Sequence, residues 1–226
     1  MKGLEERLTE VLKEKGAALV GFADLEGICD MPRGVSVAVP LPKNVVEDLK
    51  TAPTEEYYEL YNSLNSKLNE IILAGEKFLK DEGFNAYART TDRVELSDEW
   101  VSSLPHKTVA TRAGLGWIGK NCLLITEQYG PAIRLSSIVT DAPLKCGAPT
   151  EESRCGQCDA CVRLCPAGAL SGKLWKAGMA REQLFQREIC KKTQIERMKA
   201  NTGIETDLCG LCFAVCPYTE KYLAEK

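Results

Sequence analysis

The chemistry-bearing residues of this chain are its cysteines, and seven of the eleven fall into two spaced runs. The first is Cys155-x2-Cys158-x2-Cys161-x3-Cys165-Pro166 and the second is Cys209-x2-Cys212-x3-Cys216-Pro217. A [4Fe–4S] cubane needs four thiolates converging from different directions, and one tight loop supplies three of them when they stand two residues apart. In two-cluster chains the cysteine after the three-residue gap reaches across to the other cluster. The spacing therefore predicts one set of Cys155, Cys158, Cys161 and Cys216, and a second built on Cys165, Cys209 and Cys212. Two clusters require eight thiolates and the runs hold seven, because Thr206 stands where the second run would begin. Cys190, in the polar, helix-like stretch 181–199 between the runs, is the eighth ligand by proximity. Cys146 is the alternative, while Cys29 and Cys122 lie far upstream.

Other uses of cysteine fit less well. Zinc sites separate their ligand pairs by longer loops and rarely place three cysteines at successive two-residue gaps. Disulfides need an oxidising compartment, and the chain opens Met-Lys-Gly-Leu-Glu without an apolar signal segment. Its 226 residues, 44% hydrophobic, suffice for one medium domain plus a small one. No apolar run approaches the ~20 residues that span a bilayer. The expectation is a cytoplasmic protein of a reducing, oxygen-poor cell, with no membrane partner. A net charge of −3 and a pI near 5.5 argue against an extended basic surface for nucleic acid.

The elements that must position the cysteines are read from periodicity. Leu4, Leu8, Val11 and Leu12 repeat at helical spacing up to Gly16, predicting a helix over 3–15. Residues 17–22 and 35–41 read as buried strands, with Cys29 in the loop between them. Pro53, Thr54, Glu55 and Glu56 start a helix that continues through Leu60, Leu64, Leu68, Ile71 and Ile72 to about Lys80. Residues 85–89 read as a strand and 107–112 as a helix. Residues 123–126 and 133–140 read as a strand pair turning at Gly130-Pro131. A mixed α/β domain over 1–145 is expected, followed by a cysteine-rich domain over 146–226 with a short helix after each Cys-Pro.

A second stretch could carry chemistry: Arg112-Ala-Gly-Leu-Gly-Trp-Ile-Gly-Lys-Asn121. Gly114, Gly116 and Gly119 form Gly-x-Gly-x-x-Gly, but they follow a helix and precede a strand, the reverse of the dinucleotide-binding order. Two readings remain. In one, the glycines let backbone approach a flat ligand, with Leu115, Trp117 and Ile118 as apolar wall and Lys120 and Asn121 as polar contacts. A side chain at Gly116 would then collide with that ligand. In the other, the loop is a tight turn around a core tryptophan.

The run Ala113–Asn121, followed by Leu124-Ile-Thr126 and then by the cysteine pattern, resembles the epoxyqueuosine reductase family and its wider relatives, the reductive dehalogenases. The resemblance extends from about Val35 to the C-terminus. It implies a nitroreductase-like N-terminal domain that binds cobalamin at the glycine–tryptophan loop, residues 114–121, and a ferredoxin-like C-terminal domain with two [4Fe–4S] clusters. It also implies that a cysteine between the two runs is a cluster ligand, and Arg187-Glu-Ile-Cys190 falls at that place. Family enzymes acting on tRNA carry an Asp-Thr-Gly-Pro segment before the glycine loop, whose aspartate gives the substrate a proton. This chain has Ser103-Leu-Pro-His-Lys107 there and ends at Lys226 without the family's helical-repeat extension. With the acidic pI, these departures argue against tRNA as a partner.

His106, the single histidine, stands where the family places its proton donor and is the candidate catalytic acid. Tyr87, Asp92 and Arg93 are further cleft candidates, with ordinary surface polarity the favoured reading. The sequence thus predicts an iron–sulfur oxidoreductase. A ferredoxin or flavodoxin would supply single electrons, two [4Fe–4S] clusters would relay them to a corrinoid, and a small or unidentified substrate would be reduced. A non-catalytic electron carrier or activator of a partner protein is the alternative. A minimal tRNA-modifying reductase is the third reading, and it requires a basic face.

Overall fold

The computed structural model describes residues 2–94 and 102–225. They form a mixed α/β protein, as expected, with two compact units that interleave along the chain. The first comprises residues 1–40, 63–115 and 134–150; the second comprises 41–62, 116–133 and 151–226. This differs from the expected boundary at 145: the glycine–tryptophan loop from Gly116 onward, and Cys122 with it, belong to the unit of the cysteine motifs.

The first unit is built on a four-stranded sheet with strands β1 (Leu19–Asp24), β2 (Arg33–Pro40), β6 (Ile133–Thr140) and β3 (Ala86–Ala88) in the order β1-β2-β6-β3. β1 and β2 are antiparallel with Phe22 opposite Val35, and β3 and β6 are antiparallel with Tyr87 opposite Val139. Helix α1 (Leu4–Glu14) buries Leu8 and Leu12 completely, and its Glu6 reaches back to the Gly3 N–H, satisfying one donor of the first turn. Helix α3 (Glu55–Asp81), whose first eight residues belong to the second unit and the rest to the first, is capped by Thr54, whose hydroxyl accepts from the Tyr57 N–H at 3.1 Å. Its Gly75 allows close approach, since a Cβ there would lie 2.6 Å from Ile138 and 2.9 Å from Leu12. Helix α4 (His106–Arg112) contributes Val109 to a core that also holds Ala23, Leu25, Leu104 and Val139.

The second unit opens with a short helix, α2 (Lys43–Asp48), that periodicity did not reveal because it spans under two turns. Strands β4 (Trp117–Ile118) and β5 (Leu124–Ile125) form a two-stranded hairpin. This corrects the expected pairing of 123–126 with 133–140. The turn exists, with Thr126 and Gly130 exchanging backbone hydrogen bonds, but β6 continues into the first unit's sheet between β2 and β3. Residues 136–140 of β6 are all buried, the pattern of a strand covered on both faces rather than a hairpin arm.

The cysteine segment contains helices α5 (Ala160–Arg163), α6 (Arg187–Thr202), α7 (Leu211–Ala214) and α8 (Pro217–Ala224). Pro217 occupies the first turn of α8 and Cys216 its cap. After Cys165-Pro166 the chain instead makes a turn with Gly168 at φ +58°, so a helix follows only one of the two Cys-Pro pairs. The predicted helix over 181–199 is broken: a single 3-10 turn at Arg181–Gln183 precedes the Leu170–Phe185 bridge, and α6 starts at Arg187. α8 is held by a Tyr222 hydroxyl that donates to the Leu41 carbonyl at 2.8 Å and by a Lys50–Glu220 ion pair at 2.9 Å.

Candidate metal centre

α5 carries Cys161 and α7 carries Cys212, with Cys155, Cys158 and Cys209 in the loops before them and Cys165 and Cys216 just after them. Burial pushes the Cys161 thiol up to about 12, reinforced by the sulfurs of Cys155, Cys216 and Cys158. Cys216 is pushed up to about 11 by burial, opposed by the Tyr218 and Thr219 N–H groups and raised by Cys155 and Cys158. The four cysteines of the first expected set are thus brought near one another. Burial also raises Cys190, opposed by a hydrogen bond from Gln194 and reinforced by Cys165, Cys209 and Asp207. Cys212 rises through burial and through Cys209, Cys190, Cys161 and Cys165, so the second set gathers around it and meets the first at Cys161. Such thiols deprotonate when iron supplies the compensating positive charge.

The structure thus brings Cys190 to the second set. Cys146 lies in the first unit, donates to the Leu144 carbonyl at 3.4 Å, and has Arg33, Asp24, Arg112 and Glu26 as its charged neighbours, none of them a thiol. Cys29 donates to the Met31 carbonyl at 3.1 Å beside the first unit's core. Cys122 is buried in the β4–β5 turn at φ +59°.

Two features fit the sets to iron–sulfur clusters. Gln194 Nε2 donates to Cys190 Sγ at 2.9 Å, an N–H to sulfur bond of the kind that supports a cluster thiolate. Trp117 packs against Cys216 and Cys155, and its indole Nε1, fully buried, has no hydrogen-bond partner among the described residues. Among the described residues no three His, Cys, Asp or Glu groups converge closely enough to hold one metal ion. A cubane is a larger body and takes its thiolates farther apart. Gln194 was missed in the sequence although its signal was present: it stands four residues after Cys190, hence on the same helix face.

The glycine–tryptophan loop serves this site rather than a flat ligand. Trp117 is 1% exposed, Ile118, Lys120 and Asn121 are buried, and Lys120 Nζ donates to the Gly156 carbonyl at 3.0 Å, inside the Cys155–Cys158 loop. Asn121 Nδ2 donates to the Cys212 carbonyl at 3.4 Å. Arg154 lies over the Trp117 ring at 5.4 Å, and Tyr218 meets it edge-on at 4.9 Å. The glycines are explained by protein packing. A Cβ on Gly116 would fall inside the Ile125 carbonyl, and one on Gly119 would strike the Ile125 side chain. Gly114 has φ +73° and lies against Ala148 O, 2.5 Å from where a Cβ would be. Gly114 is exposed and Leu115 partly buried. Residues 116–121 therefore do not fit the corrinoid wall expected of them, and Gly116→Ala would collide with the hairpin.

His106 also differs from expectation. Burial, Arg89 and Arg134 lower its pKa to about 4, and Nδ1 sits 2.8 Å from the Ser137 hydroxyl of β6. Near neutral pH it is an uncharged imidazole with no imidazolium proton to give. Because the folded value lies below the usual ~6.5, the unfolded chain binds the extra proton first. The native state should therefore lose about 3 kcal/mol as pH falls from roughly 6.5 to about 4, with this contribution intact above that window. Urea midpoints across this range should fall for the parent and flatten for His106→Gln.

The remaining cleft candidates are structural. Arg93 pairs with the buried Glu76 at 2.9 Å and covers Tyr87 at 5.4 Å. Glu76 also takes Lys80 at 2.6 Å. Asp92 is exposed.

Residues 154–219 match the family described as the 4Fe-4S double cluster binding domain, which bears out the expected pair of clusters. Across more of the chain the matches are epoxyqueuosine reductases. That of Bacillus subtilis is 30% identical over 200 residues, covering 81% of this chain and 46% of its own length. That of Lactococcus garvieae is 32% identical over 168 residues, covering 74% and 42% respectively. The chain is a relative of the epoxyqueuosine reductases. It spans less than half the length of these two curated relatives. Among solved structures, an epoxyqueuosine reductase with an epoxyqueuosine-modified tRNA-Tyr stem loop superposes with a TM-score of 0.62 at 23% identity, over 96% of this chain and 65% of that one. A reductive dehalogenase whose structure suggests a mechanism for B12-dependent dehalogenation gives 0.71 at 19% identity, over 94% and 31%. Both share the fold.

The expectation against tRNA is overturned by this comparison, since the relatives are epoxyqueuosine reductases and one of the matching structures holds a tRNA stem loop. The error lay in averaging charge over the chain. Residues 151–200 hold ten Lys and Arg against six Asp and Glu, while the whole chain carries −3. A net-negative chain can thus hold a locally basic stretch, so the overall charge does not exclude an anionic partner. No helix among the described residues is long and apolar enough to cross a membrane.

Proposed function

We propose that the protein is an iron–sulfur reductase of the epoxyqueuosine type. One [4Fe–4S] cluster is held by Cys155, Cys158, Cys161 and Cys216, and the other by Cys165, Cys190, Cys209 and Cys212. Its support is the match of residues 154–219 to the 4Fe-4S double cluster binding domain, together with the convergence of the thiols: Cys155, Cys158 and Cys216 act on Cys161, while Cys165, Cys190 and Cys209 act on Cys212. The protein braces the loops through Trp117, Lys120 and Asn121, and Gln194 donates to the Cys190 sulfur. An external low-potential carrier such as a ferredoxin or flavodoxin supplies electrons singly, and Cys158, exposed, marks where the first cluster is approached. The substrate class is an epoxyqueuosine nucleoside in tRNA, by likeness to the relatives.

A corrinoid as terminal carrier is supported by the B12-dependent neighbour, and it would supply a metal centre that reduces the substrate. The loop nominated for it is occupied by the cluster site, so no residue of this chain is assigned to holding it. His106, neutral and hydrogen-bonded to Ser137, is not assigned the role of acid.

The test is an anaerobic incubation of chemically reduced protein, with and without cobalamin, with an epoxyqueuosine-bearing tRNA stem loop. Nucleoside mass then reads out loss of the epoxide oxygen. Conversion of the nucleoside is expected, and comparison of the two arms reads whether it depends on cobalamin. Clusters that reduce while the nucleoside stays intact in both arms would remove the tRNA assignment and return a small-molecule substrate or a pure electron carrier.

A further inference from the structure

Lys120 and Trp117 raise a question that holding the loop does not answer. A backbone carbonyl needs only an N–H to satisfy it, yet here the donor is a lysine side chain, 8% exposed, with its Nζ 3.0 Å from Gly156 O. Gly156 lies between Cys155 and Cys158, so this positive charge is fixed, away from water, beside the first thiol set. There it acts through a low effective dielectric and is little screened by salt. Trp117, packed on Cys155 and Cys216, adds a buried N–H dipole with no acceptor among the described residues. A sulfur-rich anionic body framed by these cysteines is the acceptor such a group lacks. Arg154 lies over the same ring but is exposed and paired with Glu127 at 3.0 Å, so the fixed charge at this site is that of Lys120.

The second set has a different environment. Its Cys190 receives the neutral Gln194 amide, and Asp207 is the charged side chain that acts on it. A negative charge opposes an incoming electron, whereas a fixed cation and N–H donors favour it. We propose that Lys120 and Trp117 raise the reduction potential of the cluster held by Cys155, Cys158, Cys161 and Cys216 above that of its neighbour, so that the first electron delivered rests there. This inference rests on the two-cluster reading. The step is a one-electron reduction of that cluster from its 2+ to its 1+ state, with the electron supplied by the external carrier and no proton taken up.

The experiment is a redox titration of anaerobic protein followed by electron paramagnetic resonance, with iron counted on each sample. The parent should titrate in two separate one-electron steps. Lys120→Met should retain its iron and lower the higher potential by at least tenfold in the equilibrium, ~59 mV for one electron, leaving the lower step in place. Lys120→Arg, which keeps the charge, should stay near the parent. Trp117→Phe, which keeps the ring and removes the N–H, should lower the same step by a smaller amount. An unchanged higher step in both Lys120→Met and Trp117→Phe, or movement of the lower step instead, would overturn the inference. If Lys120→Met loses iron, Trp117→Phe decides. A parent without about eight iron per chain fails the two-cluster reading itself, a result separable from any shift in potential.

Discussion

Gly116→Ala is expected to abolish folding of the second unit and with it all iron incorporation. The added methyl group would occupy the place of the Ile125 carbonyl, and backbone cannot move aside as a flexible side chain can. The β4–β5 register, Trp117 opposite Ile125, depends on that contact. Overpacking typically costs about 1–3 kcal/mol, and a clash with backbone at 2.0 Å stands at or above the top of that range. Because Trp117 carries the wall behind Cys155 and Cys216, loss of the hairpin loses the first thiol set. Circular dichroism and iron content of the variant expressed beside the parent check this; a folded Gly116→Ala protein with a full iron complement would show that the hairpin does not support the site.

Cys190→Ser is expected to lose about half of the iron, because a second cluster reduced to three thiolates is labile while the first keeps all four. Cys146→Ser should keep the full complement, since its sulfur has no thiol among its charged neighbours. Anaerobic iron and sulfide analysis of the two variants distinguishes them. A full complement in Cys190→Ser with a halved one in Cys146→Ser would move the eighth ligand to the first unit.

How much of this was legible in the sequence follows from the range of the interactions. The two-cluster character of residues 154–219, though not the crossing ligands and Cys190, which depend on long-range folding and remain proposed, was legible because a loop that delivers three thiolates to one cubane must space them at two-residue gaps, a local constraint. The long helices α1 and α3 were legible for the same reason, each carrying its own apolar period and its own caps. The destination of β6 was not. Ile133–Thr140 lacks alternation because both its faces are covered, and nothing local says that it pairs with β2 and β3 rather than with β5. The glycine–tryptophan loop misled in a different manner. A glycine needed for close approach looks the same whether the approaching body is a cofactor or the Ile125 carbonyl. Only the partner distinguishes them, and that partner is a backbone atom that no residue type announces. The charge of His106 was hidden likewise, because its environment comes from Arg89, Arg134 and Ser137 on other elements.

The proposed function requires this chain to hold two [4Fe–4S] clusters in crossed thiol sets. Iron and acid-labile sulfide, counted on anaerobically purified parent protein, test it most directly. The account predicts about eight of each per chain; about four of each, or zinc in place of iron, would contradict it.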